Sequence, residues 1–417
     1  MIDKIKSLKR ENFLIFIIIF FSTVFPISYL LGNSIINFFV FILSISLIAY
    51  SLIKKDLKKF KNLIFILFLC LWSTFLINLF FSQNFELSLN RVLKFFFIIF
   101  FIYAMKFAIN YKNNFYENFI FKFWTFIFLI VLVDLIFEYH FGYNITGNVS
   151  FMPSRLTSFL KDELVIGYYF IGFALFAYVT LDKRIDNKLI SFLILMFLII
   201  ISFLIGERAN FIKTFIAITI FIFFVYKINY KYKFLSIFVV LILSNLTFLS
   251  LNDDYKARYF DQISPILTPN GLNNFLSETK YGAHRNVAKE IFLDNPFFGA
   301  GIKNFRVESG KKKYEDLDHK KNRYRISNHP HELYYEFLSE TGIFGLICFL
   351  IFIFTSLFVS VKNYFKTKNV YQFSSIIIIT LSILPVIPTG SFLATFPSSI
   401  FWINYAIMMG YNRNITK

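Results

Sequence analysis

Cysteine is nearly absent from this 417-residue chain: the two present, Cys70 and Cys348, lie inside apolar runs, where a thiol behaves as a small hydrophobe. That excludes a disulfide framework and a cysteine-based metal site. Acidic residues are also scarce, 25 against 43 Lys and Arg, and there is no acidic pair of the kind that usually holds magnesium. Internal repeats are missing. No small-residue cleavage site follows the basic start, Lys4, Lys6, Lys9 and Arg10, so the expectation is a retained first span and not a signal peptide.

What fills the chain instead is apolar. With 57% hydrophobic residues and 62 Phe, and a mean hydropathy of +0.62, it cannot be a soluble globular domain, whose apolar usage runs nearer ~45–50%. The heavy use of Phe, Ile, Asn and Lys with few Ala or Gly reads as codon bias, since any apolar side chain suits lipid, and it carries no chemistry. The composition predicts an all-α polytopic membrane protein, because backbone groups cannot go unpaired in lipid. Stretches long enough to cross ~30 Å of hydrocarbon as helix fall near 12–31, 34–53, 63–82, 92–110, 118–138, 164–181, 189–205, 210–226, 234–251, 341–360, 372–388 and 391–410. That makes about twelve transmembrane helices.

The net charge of +18 is spread over short loops and not over one folded face, which disfavours nucleic acid and reads as topology. With a cytoplasmic N-terminus, the inside segments collect Lys4 to Arg10, Lys54 to Lys61, Lys112, Lys183 to Lys188, Lys227 to Lys233, Lys362 to Lys368, Arg413 and Lys417. The short outside segments hold only Arg91, Arg155, Lys161 and Arg208. Such asymmetry follows the positive-inside bias and places both termini in the cytoplasm. The expected domains are a transmembrane region over 1–251 with about nine helices, a large helical periplasmic loop over 252–336, and a C-terminal transmembrane region over 337–417 with about three.

Two of the five histidines cluster in His329-Pro330-His331-Glu332, just before a long apolar helix. An imidazole there can accept a proton, coordinate a metal or cap a helix. Arg208, in Gly206-Glu207-Arg208, is held at a boundary between two apolar helices, where a charge is costly unless it works or is paired, and Glu207 is the obvious partner. Asp134, inside the fifth span, has Lys122 or Arg155 available, and Glu163 stands at the sixth. The basic run from Lys311 to Lys321 reads as a solvated face.

Set in order, these features resemble the O-antigen ligase and O-antigen polymerase superfamily. In that family an arginine begins a helix, a second arginine in the large loop precedes Asn-Pro-x-x-Gly-x-Gly-x-x-x-Phe, and His-Pro-His-Asn leads into a helix with Glu and Gly-x-x-Gly. Here Arg208, His284-Arg285, Pro296, Gly299, Gly301, Phe305, His331, Glu340, Gly342 and Gly345 stand at the matching places. Glu332 replaces the usual Asn, Ser or Gln, a departure on the acceptor side of the site. The segment Arg155-Leu156-Thr157-Ser158 to Leu164 is similar to one preceding a helix in many polymerase-like members.

The resemblance implies glycosyl transfer at the periplasmic face of the bacterial inner membrane, from an undecaprenyl-pyrophosphate-linked glycan to a sugar hydroxyl, without metal, cofactor or nucleotide sugar. The residue chemistry suits it. Arg208 and Arg285, with Arg155 as a third, are candidates to hold the departing diphosphate through paired donors. His331 is the candidate general base, a role that typically contributes ~10²–10⁴-fold, with His329 orienting it and Pro330 fixing the loop. Glu332 and Glu340 are candidate substrate contacts, although Glu340 can instead orient its helix. Pro296 to Gly301 also read as a tight turn, and Gly342 and Gly345 as helix-packing positions.

A polymerase would take a second lipid-linked repeat as acceptor and a ligase would take lipid A core; the Arg155 segment tips the balance slightly toward polymerase. Membrane lipids and a chain-length regulator are the further expected partners. The alternatives are a transporter or flippase for polysaccharide or lipid-linked sugar, and an inactive scaffold. A transporter predicts broken helices and ionisable residues near the midplane of both halves, whereas here the charged candidates gather at one outer face.

Overall fold

The computed structural model describes residues 2–112, 115–152, 154–160, 163–226, 238, 253–261, 268–271, 273, 279–317, 324–385 and 387–412. Among these the regular structure is helical: α1 (Ile2–Leu31), α2 (Asn33–Ile53), α3 (Leu63–Leu79), α4 (Phe85–Asn110), α5 (Phe115–Phe141), α6 (Ile166–Asp182), α7 (Lys188–Leu204), α8 (Arg208–Val225), α9 (Lys280–Asp294), α10 (Leu333–Thr367), α11 (Val370–Ser382) and α12 (Thr395–Gly410), with single turns between. Six segments, Lys9–Leu31 of α1 and the helices α2, α4, α5, α8 and α10, are long and apolar enough to cross a membrane. The apolar helices α3, α6, α7 and α11 are shorter. The chain is a multi-pass membrane protein. The span expected near 234–251 lies outside the described residues, as do Lys161, Lys227, Lys231, Lys233, Arg413, Lys417 and the part of the basic run from Asp318 to Lys321.

Asparagine sets several helix starts: Asn62, Asn84, Asn187 and Asn369 each accept a backbone N–H of the first turn, giving an orphan donor a partner. Pro26 sits inside α1. Lacking an N–H, it leaves the Ser22 carbonyl four residues back without its helical donor, and the Trp124 indole on α5 supplies one at 3.1 Å. A proline is thus tolerated in lipid because the neighbouring helix completes the hydrogen bond.

The interior is aromatic. Phe68 of α3 stacks on Phe95 of α4 at 5.2 Å, and Trp402 and Phe352 close around them. Many other large side chains, among them Phe38, Phe126, Phe224 and Phe358, stay exposed on the outer faces, as lipid-facing positions must.

The acids of α5 do not pair as expected. Asp134 bonds neither Lys122 nor Arg155; it accepts the Ile145 N–H at 2.7 Å and the Ser158 hydroxyl at 2.5 Å. Glu138, one turn on, accepts the backbone N–H groups of Thr157 and Ser158. The carboxylates thus hold Ile145, Thr157 and Ser158 over the helix end.

The helix expected just after the histidine pair, α10, begins at Leu333; near the expected start of its membrane span at 341 it breaks at Gly342, whose φ of 68° and ψ of −171° are non-helical. The break frees carbonyls, and the 296–301 segment inserts there. Ala300 and Gly301 donate to the Ser339 and Glu340 carbonyls at 2.9 and 3.0 Å, while Ile343 donates to Pro296 at 2.9 Å. The fit requires glycine on both sides: a Cβ at Gly342 would sit 2.3 Å from the Phe297 oxygen, and one at Gly299 2.4 Å from the Glu340 carbonyl carbon. Asn78 of α3 locks the junction, donating to the Glu340 carbonyl at 2.9 Å and accepting from Ile302 at 3.1 Å. A small core of Val287, Ala288, Ile291, Ala300, Phe305 and Tyr314 holds α9 above this junction.

Candidate active site

One turn apart on the first half of α10, Glu336 and Glu340 are both buried, and each holds one wall of a cavity. Glu340 accepts the N–H groups of Lys303 at 2.8 Å and Phe305 at 3.2 Å. Glu336 accepts the Ser391 hydroxyl, the Phe392 N–H at 2.8 Å and the Leu393 N–H at 3.4 Å. Between the walls is a cavity of about 620 Å³ lined by Arg155, Arg208, Arg258, Lys303, Arg306, His329 and His331, with Tyr168, Tyr281 and the 387–391 loop.

The lining is cationic with one acid, Glu207. Its carboxylate pairs with Arg155 at 3.4 Å and not with its sequence neighbour Arg208, and it also accepts from Gly167 at 2.9 Å and from Asn210 at 2.6 Å. Arg208 therefore reaches the cavity without that partner. Arg258 donates to the Gly206 carbonyl at 2.6 Å. Burial, with Arg155 and Arg208 close by, lowers its pKa to about 10, so it keeps its charge near neutrality. Burial likewise lowers Lys303, against the opposing pull of Glu340 and Glu336.

The histidines form the opposite side. His331 adopts a left-handed φ of 60°, a conformation that persists only where the surroundings enforce it; here the Thr389 N–H donates to its carbonyl at 2.8 Å. Its ring lies 4.0 Å from that of His329, 5.1 Å from His284 and 5.5 Å from Tyr281. Burial first, then the competition among adjacent imidazoles for a proton and the charges of Lys280 and Lys303, lowers His331 and His284 to about 4 and His329 well below its ordinary value. All three imidazoles are neutral at pH 7. The Nε2 of His329 is buried with no hydrogen-bond partner among the described residues.

The sequence candidates thus divide. Arg155, Arg208, His329 and His331 line the cavity. Arg285 does not: one residue further along α9 than His284, it donates to the Tyr335 hydroxyl at 2.9 Å and lies over that ring at 5.1 Å. Glu332 and Glu340 face backbone donors. Glu332 caps α10, accepting the Tyr335 N–H at 2.8 Å, which places an acid at the positive end of a helix dipole. Sequence reasoning missed Arg258, Lys303, Arg306 and the histidine at 284. Lys303 and Arg306 stand on either side of Asn304 and Phe305, both fully buried, and themselves face the cavity; only their place in or directly after the Asn-Pro-x-x-Gly-x-Gly-x-x-x-Phe segment could have pointed to them. For Arg258 no pattern pointed to the cavity.

A second cavity of about 460 Å³ shares Val165, Lys303, Arg306, Ala394 and Pro397 with the first, and adds Arg91, Lys94, Asn33 and Asn90. Among the described residues no group of three or more His, Cys, Asp and Glu side chains is arranged to hold a metal ion.

Residues 191–350 match the family model described as O-Antigen ligase. The resemblance to the O-antigen ligase and polymerase superfamily stands. Among curated proteins no match was found. The O-antigen ligase segment runs from α7 to the first turns after the α10 break, and it holds every cationic residue of the first cavity except Arg155. It supports an enzyme of glycosyltransferase type.

Proposed function

We propose that the protein transfers a glycan from undecaprenyl pyrophosphate to a sugar hydroxyl at the periplasmic face of the bacterial inner membrane, without a metal ion. The observation that carries this reading is the unequal charge of the cavity: four arginines and Lys303 against a single carboxylate already paired to Arg155. Guanidinium groups bind phosphate oxygens through planar paired donors. Fixed cations facing the bond between the anomeric carbon and the diphosphate stabilise the charge that develops as it breaks.

In the transfer the acceptor oxygen bonds to the anomeric carbon, the carbon–oxygen bond to the diphosphate breaks, and the electron pair leaves with the lipid diphosphate. The acceptor proton passes to a neutral imidazole, the role proposed for His331, with His329 beside it to orient the ring. Arg208 and Arg258 lead the diphosphate clamp, Arg155 supports it through Glu207, and Arg285 acts from behind by positioning Tyr335 at the start of α10. The adjoining basic cavity gives room for an acceptor. A lipid-linked repeat fits it as a second diphosphate, which keeps polymerase slightly ahead of a ligase acting on lipid A core. The expected division into membrane regions 1–251 and 337–417 around a periplasmic segment 252–336 belongs to the same proposal, as does a chain-length regulator as partner.

The test is transfer by the purified protein in EDTA, from a lipid-pyrophosphate-linked glycan to a second lipid-linked repeat or to lipid A core. His331→Ala is expected to lower transfer by ~10²–10⁴-fold, and Arg208→Ala and Arg258→Ala by more than Arg285→Ala. Transfer unchanged in the folded His331→Ala and Arg258→Ala proteins would remove the assignment; the acceptor consumed separates polymerase from ligase.

A further inference from the structure

A third cavity, of about 790 Å³, lies at the other end of the bundle. The chain path fixes its place. The helix α4 starts beside the first site, where Asn84 N–H donates to Asn304 at 2.7 Å, and α12 starts one residue after Ala394 of that site. Both end in the third cavity, at Asn110 and Gly410. The 16 residues of α12 rise ~24 Å at 1.5 Å each, so most of a bilayer separates the two.

Its wall is graded. Leu47, Ile64, Ile102, Phe107 and Met409 line the inner part, while Lys58, Lys59, Lys106 and the amides of Asn62, Asn110 and Asn412 stand with them against one acid, Asp56. Lys106 donates to the Asn412 carbonyl at 3.3 Å and Asn110 to Gly410 at 2.8 Å, so part of this polarity completes helix ends. Lys58 and Lys59 are not needed for that. They belong to the single turn Lys58–Phe60 between α2 and α3, and Lys59 rests on the faces of Tyr50 and Phe60 at 5.3 and 5.4 Å. Around this turn Leu52, Ile53, Leu57 and Leu63 are exposed, a rim that only lipid would cover.

We propose that this cavity binds the headgroup of an anionic phospholipid, with Lys58 and Lys59 on its phosphate and the upper acyl segment against the apolar wall. Basic pockets between membrane helices are a recurrent way to hold such headgroups, and the volume lies in the range of small-molecule sites. The exposed apolar rim selects a lipid over a soluble phosphate, which would leave that rim uncovered.

The experiment uses the full chain in detergent, titrated separately with dihexanoyl phosphatidylglycerol, dihexanoyl phosphatidylcholine and inorganic phosphate. The readouts are the thermal midpoint and the lipid count by native mass spectrometry. Phosphatidylglycerol is expected to raise the midpoint and remain bound, the other two to do neither, and Lys58→Gln with Lys59→Gln to abolish more than half of the shift. Lys362→Gln with Lys366→Gln, basic positions outside this cavity, is expected to retain it. Equal effects of the two lipids, an equal effect of phosphate alone, or a full shift in the Lys58/Lys59 variant overturns the proposal. If that variant does not fold, the wild-type preference between the two lipids by mass spectrometry decides.

Discussion

His331 combines a strained backbone with a buried ring, and both properties come from its neighbours: Thr389 holds the carbonyl, while His329, His284 and Tyr281 pack the imidazole. The consequence can be read with pH. The folded pKa values of His331 and His284 are about 4, below the ordinary ~6.5 of an unfolded chain. The unfolded state therefore binds more protons between these values, and the stability from burying neutral imidazoles is fully present above about pH 6.5 and is lost as pH falls toward 4. We expect the thermal midpoint to drop over this window, and His284→Phe to flatten the drop; an unchanged slope would detach these rings from acid sensitivity. Arg155 shows how a side chain serves in two ways: it pairs with Glu207 and donates to the Leu164 carbonyl, so it lines the cavity and ties the 155–164 segment to α6 and α8.

At the scale of elements, the insertion of 296–301 into the broken α10 holds the site together. Gly342→Ala forces a side chain into a left-handed position and against the Phe297 oxygen. Positive φ alone costs ~1–3 kcal/mol, so the variant is expected to lose at least ~2 kcal/mol of stability, measured as a lower unfolding midpoint, with Gly310→Ala, where an added Cβ meets only ordinary contact, as the milder comparison. Much of this was visible beforehand as composition at fixed places: the glycines at 299, 301 and 342, the proline at 296 and the histidine pair all lie where the motif put them. Their contacts were not. A carboxylate on a helix gives no sign of which distant backbone it will meet: Glu340, expected as a substrate contact or as a helix-orienting acid, accepts the Lys303 and Phe305 N–H groups, while Glu336, one turn earlier, went unnoticed. Arg285 was favoured over its neighbours because it stands before the motif, yet a helix turns ~100° per residue, and that rotation sends His284 toward His331 and Arg285 toward Tyr335.

For the molecule as a whole, the apolar runs marked the six long helices, because length and hydropathy decide membrane insertion before packing does, while the shorter apolar helices fall below that length. Charge is organised on the same scale. Basic side chains crowd the first cavity at one end and the third at the other, and the interior between them is aromatic. Since attraction to a dianion by several partly exposed cations is screened by salt, binding of inorganic pyrophosphate to the first cavity is expected to weaken several-fold between 0.05 and 0.5 M salt, as measured by calorimetry; a salt-independent affinity would point to contacts other than charge. The glutamate on α10 that gathers Ser391, Phe392 and Leu393 has one more consequence. The walls of the cavity come from positions as far apart as 155 and 397, so during synthesis the early helices wait in the membrane with their arginines unsheltered. The pocket becomes whole only when the ribosome has passed the 387–397 segment, so a nascent chain halted before that point would be inserted but unable to hold its substrate.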